Sequence, residues 1–487
     1  MIANLKKFLL IEQNISNKTK FNEDKTSGFY DISKSLNSNY LADLEEQKIY
    51  EHVKNKINIQ NVTTFHQLSQ IFNLPTLRKV ASNFTECYFT MVAETDNFLQ
   101  LDYTYVAKIL RSSHLHITSE LEVLNAADDW VKYNIKERSK FANRLLQNVR
   151  LPLLSETALE YLLNESSSFN QIDECVTTLK EVIQSKNELF NDKLSINWKH
   201  RYCDKQKFKI LLCGGVGNVV VRNVKEIDGS NFKNVEDLAP MIESRDCAKT
   251  VCLKGEVYVF GGNDDNLNWK LSVEKYTPSA NTWKEVTDLK DERYSFCVSA
   301  FMDKIVVIGG YYEGSGERTK SCLQFDTKGY KWTEIASMNE ARSDAACVVF
   351  EGKVVVSGGF NTNNVESNTV ESYDVLPNKW SSMPNMINVI SDHSLVVVRS
   401  KLFVITYATD VWEVFDNIYN KFVAFKLPHV QGFNFNESVS IGSKIVLFQN
   451  DRTSLYSYNV DNGEWSEDFL EITEEFWNYS CVTVPFY

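Results

Sequence analysis

The sequence predicts a multidomain chain, all-α and then all-β: a helical domain followed by a six-bladed β-propeller. Three observations carry this prediction. In the second half, apolar runs ending in a glycine pair recur at intervals of 47–49 residues. Aromatic residues seven apart run in phase with them. Between residues 61 and 200, by contrast, glycine is absent and apolar residues fall three and four apart.

The repeat is explicit. KILLCGG, VYVFGG, IVVIGG and VVVSGG end in Gly214–Gly215, Gly261–Gly262, Gly309–Gly310 and Gly358–Gly359. KLFVITY and KIVLFQN continue the series with Thr406 and Tyr407, then Gln449 and Asn450, at the glycine positions. The ring pairs are Tyr276/Trp283, Phe325/Trp332, Tyr373/Trp380, Phe415/Phe422 and Tyr458/Trp465. An arginine precedes three of the apolar strands: Arg245, Arg293 and Arg342. Short apolar runs suit buried strands. A glycine pair suits a chain leaving a strand where backbones crowd and φ turns positive. Paired rings can wedge between neighbouring sheets. A unit of 43–49 residues holds four short strands, one blade, and blades must stack in a ring to bury their faces.

Copies one, five and six depart from the pattern. Copy one has only Phe232 near the tryptophan position, and copies five and six lack the glycines. The strand at 208–215 has no partner before it, while YSCVTV (479–484) echoes YSFCVSA (294–300). The C-terminal strand is therefore expected to complete blade one and remove two open sheet edges. These marks resemble the kelch repeat, and the resemblance covers 208–487. The other propeller family of similar period carries a Trp-Asp dipeptide; none of the nine tryptophans here is followed by Asp.

In the helical half, SELEVLNAADDWVKYNI offers Ser119 and Glu122 as a capping box. Leu121, Leu124, Val131 and Ile135 fall near one helical face, with Ala127 and Trp130 beside them. Residues 97–155 carry the Phe98–Leu101 entry, Ser-Glu-x-x-V from Ser119, Trp-Val-Lys at 130–132 and VRLPLL at 149–154. This string resembles the BACK domain of BTB-BACK-kelch proteins, and the resemblance runs over 61–200. A BTB domain is expected before BACK. Here 29–60, above all Leu41 to Asn61, resembles only the helices that follow a BTB core, which reads as missing or truncated. Residues 1–28 are expected to be disordered, being polar and rich in Asn and Lys over 11–28.

Composition narrows the function. A net charge of −12 would repel a phosphate backbone, which argues against nucleic acid. No apolar run approaches the roughly 18 residues of a membrane span. Phe8 to Ile11 is too short for a signal-peptide core, so the expected location is cytoplasmic, with cytoskeletal association a further option. No cysteine lies in a CxxC pair, so zinc ribbons lack a foothold. His393 and His429 do not group as metal ligands, and His114 and His116 would diverge on a helix. Gly214-Gly215-Val216-Gly217 lacks the spacing and the lysine of a nucleotide loop. No catalytic residue, metal or cofactor is assigned.

What remains is a binding face at one end of the channel. The resemblance places partner contacts just after the glycine pair and in the arginine-bearing loop before the next blade. Those positions are Asn263, Asp264, Tyr311, Tyr312, Phe360 and Asn361, with Arg245, Arg293, Arg342 and Ser343. Three arginines converging on one mouth would suit an acidic peptide. The competing reading makes each arginine a brace within its own blade. The resemblance further implies a non-catalytic substrate-recognition adaptor of a cullin-RING E3 ubiquitin ligase, with a protein target on the propeller and a cullin scaffold as partners. Its rival is an actin-binding protein of the cytoskeleton.

Overall fold

The computed structural model describes Val53, residues 56–188, Arg201 and residues 208–485, apart from 72, 165–166, 233, 313, 407–410, 418, 427–434, 450–453 and 471–478. The expected disordered segment 1–28 and all but the end of the remnant 29–60 lie outside the described residues.

Helices form where caps and apolar spacing agree. They are α1 (Val62–Ile71), α2 (Pro75–Cys87), α3 (Phe89–Ala93), α4 (Asp96–Leu99), α5 (Tyr103–Arg111), α6 (Glu120–Tyr133), α7 (Ile135–Leu146), α8 (Glu156–Asn164) and α9 (Asp173–Glu188). Pro75 opens α2, where a missing N–H costs nothing. Asp102 caps α5 by accepting from Tyr105 N at 2.9 Å. Ser119 caps α6 by accepting from Leu121 N at 3.1 Å, while Glu122 reaches back to Thr118 N at 3.3 Å. Leu121, Leu124, Ala127, Trp130 and Val131 are buried, and Trp130 Nε1 donates to Leu101 O at 2.9 Å. Ile135 does not share that face: the helix breaks at Asn134, a new one starts, and Ile135 is 39% exposed.

The second half is a propeller of six four-stranded antiparallel sheets. The inner strands, Lys249–Leu253, Cys297–Phe301, Ala346–Phe350, Ser394–Val398, Phe435–Ile441 and Ser480–Pro485, contact one another in ring order. Ser480–Pro485 pairs with Phe208–Cys213, from Cys213↔Ser480 to Phe208↔Pro485. Blade one is thus built from both ends of the propeller, and the inner side of Phe208–Cys213 is paired.

Each repeat mark has a visible cause. All five ring pairs sit directly opposite on the third and fourth strands, with centroids 4.8–5.2 Å apart. Tyr276 and Trp283 do more than fill space. Tyr276 OH donates to Asn281 Oδ1 at 2.9 Å, that oxygen accepts from Ala239 N, and Trp283 Nε1 donates to Ala239 O at 2.8 Å. The dyad so grips the strand leaving the preceding blade. Tyr373, Asn378 and Trp380 repeat this on Ala336. Gly309 shows why the first glycine recurs: its φ is +63°, and a Cβ there would meet Arg342 O at 2.4 Å.

Candidate protein-binding face

In a four-stranded meander, the turns between strands one and two and between three and four fall at one end. The two–three loops and the blade-to-blade links fall at the other. The helical domain occupies the first end. Ser155 Oγ donates to Asp374 Oδ2 at 2.7 Å, Lys254 pairs with Glu94, His116 lies 5.7 Å from the Phe208 ring, and Met302 and Leu376 pack on the helical core. His116 is therefore a junction residue in a loop, not a helical solvated one, and burial lowers its pKa to about 4. A buried node ties the propeller entrance to the helices. Arg201 meets Glu120 at 2.6 and 3.0 Å and donates to the carbonyls of Leu110, Ser112 and Asn148, while Glu120 also accepts from Arg150 N.

The other end is left open by the helical domain. Its loops carry Val219, Ile242, Leu267, Val365, Ile387 and Val389, six of the ten large apolar side chains exposed among the described residues. Exposed apolar side chains gathered on one face make it the candidate interaction surface.

The three arginines are not part of that surface, which corrects the expectation that they converge on the mouth. Arg245, Arg293 and Arg342 are at most 2% exposed. Arg342 donates to Gly358 O at 2.9 Å, to Thr369 O and Oγ1, and to Glu371 Oε1 at 2.7 Å. Arg245 does the same with Gly261 O, Ser272 and Glu274. The backbone carbonyl of Arg342 meanwhile accepts from Gly310 N of the preceding blade at 2.9 Å. Each is a brace directed into its own blade, and of Arg342 only Nε is left without a partner among the described residues. Glu274 and Glu371, which the sequence reading missed, complete the brace by also accepting two link N–H groups, Ile242 and Glu243 for one, Asn339 and Glu340 for the other. Their signal was a carboxylate at a fixed offset of 29 residues after the arginine. In blade three the offset of 29 falls on Cys322 and the equivalent cross-strand position on Leu323, neither a carboxylate, and Arg293 turns to Asp291 and Tyr312 instead.

The other expected residues divide. Asn263 and Ser343 are buried, at 5% and 1%. Asn263 exchanges backbone hydrogen bonds with Asp246, and Ser343 Oγ accepts from Arg318 Nε at 2.9 Å. Asp264 and Asn361 shape their own loops: Asp264 accepts from Asn266 N and Asn268 N, and Asn361 Oδ1 from Asn363 N and Val365 N. The hydrogen bonds from Asn268 hold the Asp264 carboxyl at about 2. Tyr312 hydrogen-bonds Arg293. Tyr311 and Phe360 are half-buried and reach the open face.

These two belong to a stripe that crosses blades two to four. Trp269 stacks on Tyr294 with centroids 4.1 Å apart, Tyr294 meets Tyr311 at 5.0 Å, and the Arg318 guanidinium lies 5.4 Å from both Tyr311 and Phe360. Trp269, Tyr294 and Arg318 were not among the expected residues. Trp, Tyr and Arg are the residue types that dominate binding energy at protein interfaces. Inside the stripe, Cys247, Ser295, Asp344 and Asp392 rim the channel in successive blades, all at positive φ (+46° to +55°). Asp392 N donates to Asp344 O and Asp344 N to Ser295 O, so the rim is stitched from blade to blade. Non-glycine residues held left-handed persist only where their surroundings enforce it.

Comparison with known proteins agrees with this architecture. The model of the BACK domain (BTB And C-terminal Kelch) matches residues 62–164, and that of the KLHDC2/KLHL20/DRC7 kelch-repeats domain matches residues 209–406. The chain is 26% identical to Kelch-like protein 7 of Rattus norvegicus over 409 residues, which cover 71% of this chain and 67% of the relative. It is 24% identical to Kelch-like protein 28 of Homo sapiens, covering 54% and 39%. Against Kelch repeat and BTB domain-containing protein 3 of Mus musculus it is 24% identical, covering 66% and 62%. The chain thus spans between about two fifths and two thirds of the length of these relatives. The chain therefore carries a BACK domain docked on a kelch-repeats propeller, in an order matched by these kelch-like relatives.

Proposed function

We propose that this chain is a non-catalytic target receptor: the open propeller face captures a protein, and the BACK domain serves as the arm toward a cullin-RING ubiquitin ligase. The observation that carries this is the half-buried stripe Trp269–Tyr294–Tyr311–Arg318–Phe360, flanked by exposed Leu267 and Val365, on the end opposite the BACK domain. The Glu120–Arg201 node supports the arm, since it locks the helices to the chain just before the propeller. The ligase half rests on the likeness to kelch-like proteins. Among the described residues no helix is long and apolar enough to cross a membrane, and a cytoplasmic location is part of this proposal.

The test is cross-linking from the full chain in cells. A photoreactive side chain in place of Leu267 or Val365 should trap a target, and Tyr311→Ala with Phe360→Ala should abolish trapping without lowering the melting temperature by more than a few degrees. The same substitution at Tyr419, 71% exposed on the BACK-side end, is the control. Trapping from Tyr419 alone sinks the receptor reading. Cullin co-precipitation with the full chain tests the arm, and co-sedimentation with actin filaments in its place would favour the cytoskeletal reading.

A further inference from the structure

The expectation of an acidic peptide fails with the arginines, and what replaces them on the open face points the other way. The exposed carboxylates there are Asp265, Glu292, Glu317, Glu340, Glu366 and Asp392. Only Arg222, Lys290 and Lys320 are exposed cations on the described loops, and Lys290 already pairs with Glu334. The half-buried cations are also engaged: Arg318 donates to Ser343 and Asn364, and Lys270 pairs with Glu243 and Asp264. At the channel rim Asp344 and Asp392 stand in adjacent blades. Burial, then Asp344 and Glu366, raise the Asp392 carboxyl against the opposing pull of Lys249 in the channel wall. Of the six exposed carboxylates, Glu340 lies 3.6 Å from Arg342 Nη2, and Asp265, Glu292, Glu317, Glu366 and Asp392 are in no ion pair among the described residues.

The aromatic stripe fits the same ligand. The faces of Trp269, Tyr294 and Tyr311 attract cations by their quadrupoles, and Arg318 already exploits this between Tyr311 and Phe360. Carboxylates beside half-exposed rings offer a lysine or arginine both a charge-assisted hydrogen bond and a ring face. The exposed Leu267, Val365, Ile387 and Val389 offer apolar contacts around them.

Resting on the receptor reading above, we infer that the target segment is basic and amphipathic: its Lys or Arg side chains lie against the rim carboxylates Asp344, Asp392 and Glu366 and along the stripe, and its apolar residues meet Leu267 and Val365. Electrostatic complementarity of this kind sets partner choice and association rate more than total affinity.

The test uses the full chain and two fluorescein-labelled 12-residue peptides with identical leucines, one carrying lysine and the other glutamate at every remaining position. The lysine peptide should bind at least tenfold tighter than the glutamate peptide, and raising salt from about 50 to 300 mM should weaken it severalfold. Asp344→Asn, Asp392→Asn and Glu366→Gln together should weaken the lysine peptide about tenfold. Asn tolerates the left-handed backbone at 344 and 392, so melting should stay near the parent's. Equal binding of the two peptides, no binding of the lysine peptide, or unchanged binding by the triple variant overturns the inference. Cross-linking from position 267 separates the two levels. Trapped segments that are neutral or acidic sink the basic-partner inference and leave the receptor reading standing. No trapping there sinks the receptor reading too.

Discussion

Blades two to four and blades five, six and one build the same sheets with different chemistry. In blades two and four the arginine, the third-strand glutamate, the double glycine and the Asn–Tyr–Trp grip are all present. Blade three keeps the arginine and the glycines and replaces the glutamate. Blade five keeps Glu413, buried and accepting from Ile387 N and Asn388 N, but Ile390 stands where the arginine would be. Its rings are Phe415 and Phe422, which lie 5.1 Å apart at a 57° tilt and carry no polar tip. Blade one fills the ring register with Ile227 and Val235. Apolar inner strands and facing side chains therefore suffice for a blade. The polar braces are concentrated where the open face carries its aromatic stripe, and rigid positioning of that stripe is what they add.

The contrast can be broken most severely at closure. Deleting 479–487 removes the inner strand of blade one, in the weakly braced arc, and exposes the edges of Phe208–Cys213 and its neighbours. The expected outcome is loss of a cooperative melt and recovery in the insoluble fraction; a soluble chain with the parent's melting temperature would show that the braced arc holds the ring by itself.

Next in size is the brace. Arg342→Ala strands the Glu371 carboxylate, 2% exposed, and should cost roughly 3–5 kcal/mol by denaturant unfolding. Glu413→Gln strands no cation and should cost no more than about 1–2 kcal/mol. Equal costs would mean that the arginine pair contributes nothing special. Partner capture by Arg342→Ala should fall only as far as folded protein does.

The smallest effect concerns pH at the seam between the arcs. His393 hydrogen-bonds Ser357 Oγ at 2.7 Å, and burial, aided by Arg342, lowers its pKa to about 3. The unfolded imidazole, near 6.5, binds its proton first as pH falls. Stability from this site is thus complete above pH 6.5 and drains away as pH drops toward 3. His393→Gln should flatten that decline, by roughly 2 kcal/mol at pH 5, read as the difference between the two denaturant-unfolding-versus-pH curves. Parallel curves would leave His393 neutral in its effect.

Much of the fold was legible because repetition multiplies weak signals. One apolar run ending in Gly-Gly says little; four in phase with five ring pairs determine a ring of blades. The ring pairs could be read as cross-strand neighbours because seven residues leave room for one tight turn between third and fourth strands. The site was legible only in part. Tyr311 and Phe360 follow the glycine pair and do reach the open face. Arg245, Arg293 and Arg342 looked like the charged heart of the mouth, since sequence cannot tell a buried donor from a free one. Trp269 and Arg318 went unseen because they lie at the far ends of their loops, returned to the stripe by bridges such as Asn263↔Trp269 and Tyr311↔Arg318.

By itself the sequence determined the order of the two domains, the blade count and which residues face the sheet interiors, because period and alternation are local properties of a chain. Tertiary structure alone decided which charges remain available. Whether an arginine meets a partner depends on a glutamate 29 residues away and on carbonyls 16 and 27 residues away in its own blade, and only folding brings those together. The same assembly covers one end of the propeller with helices, and so leaves the stripe and its acidic rim to face outward.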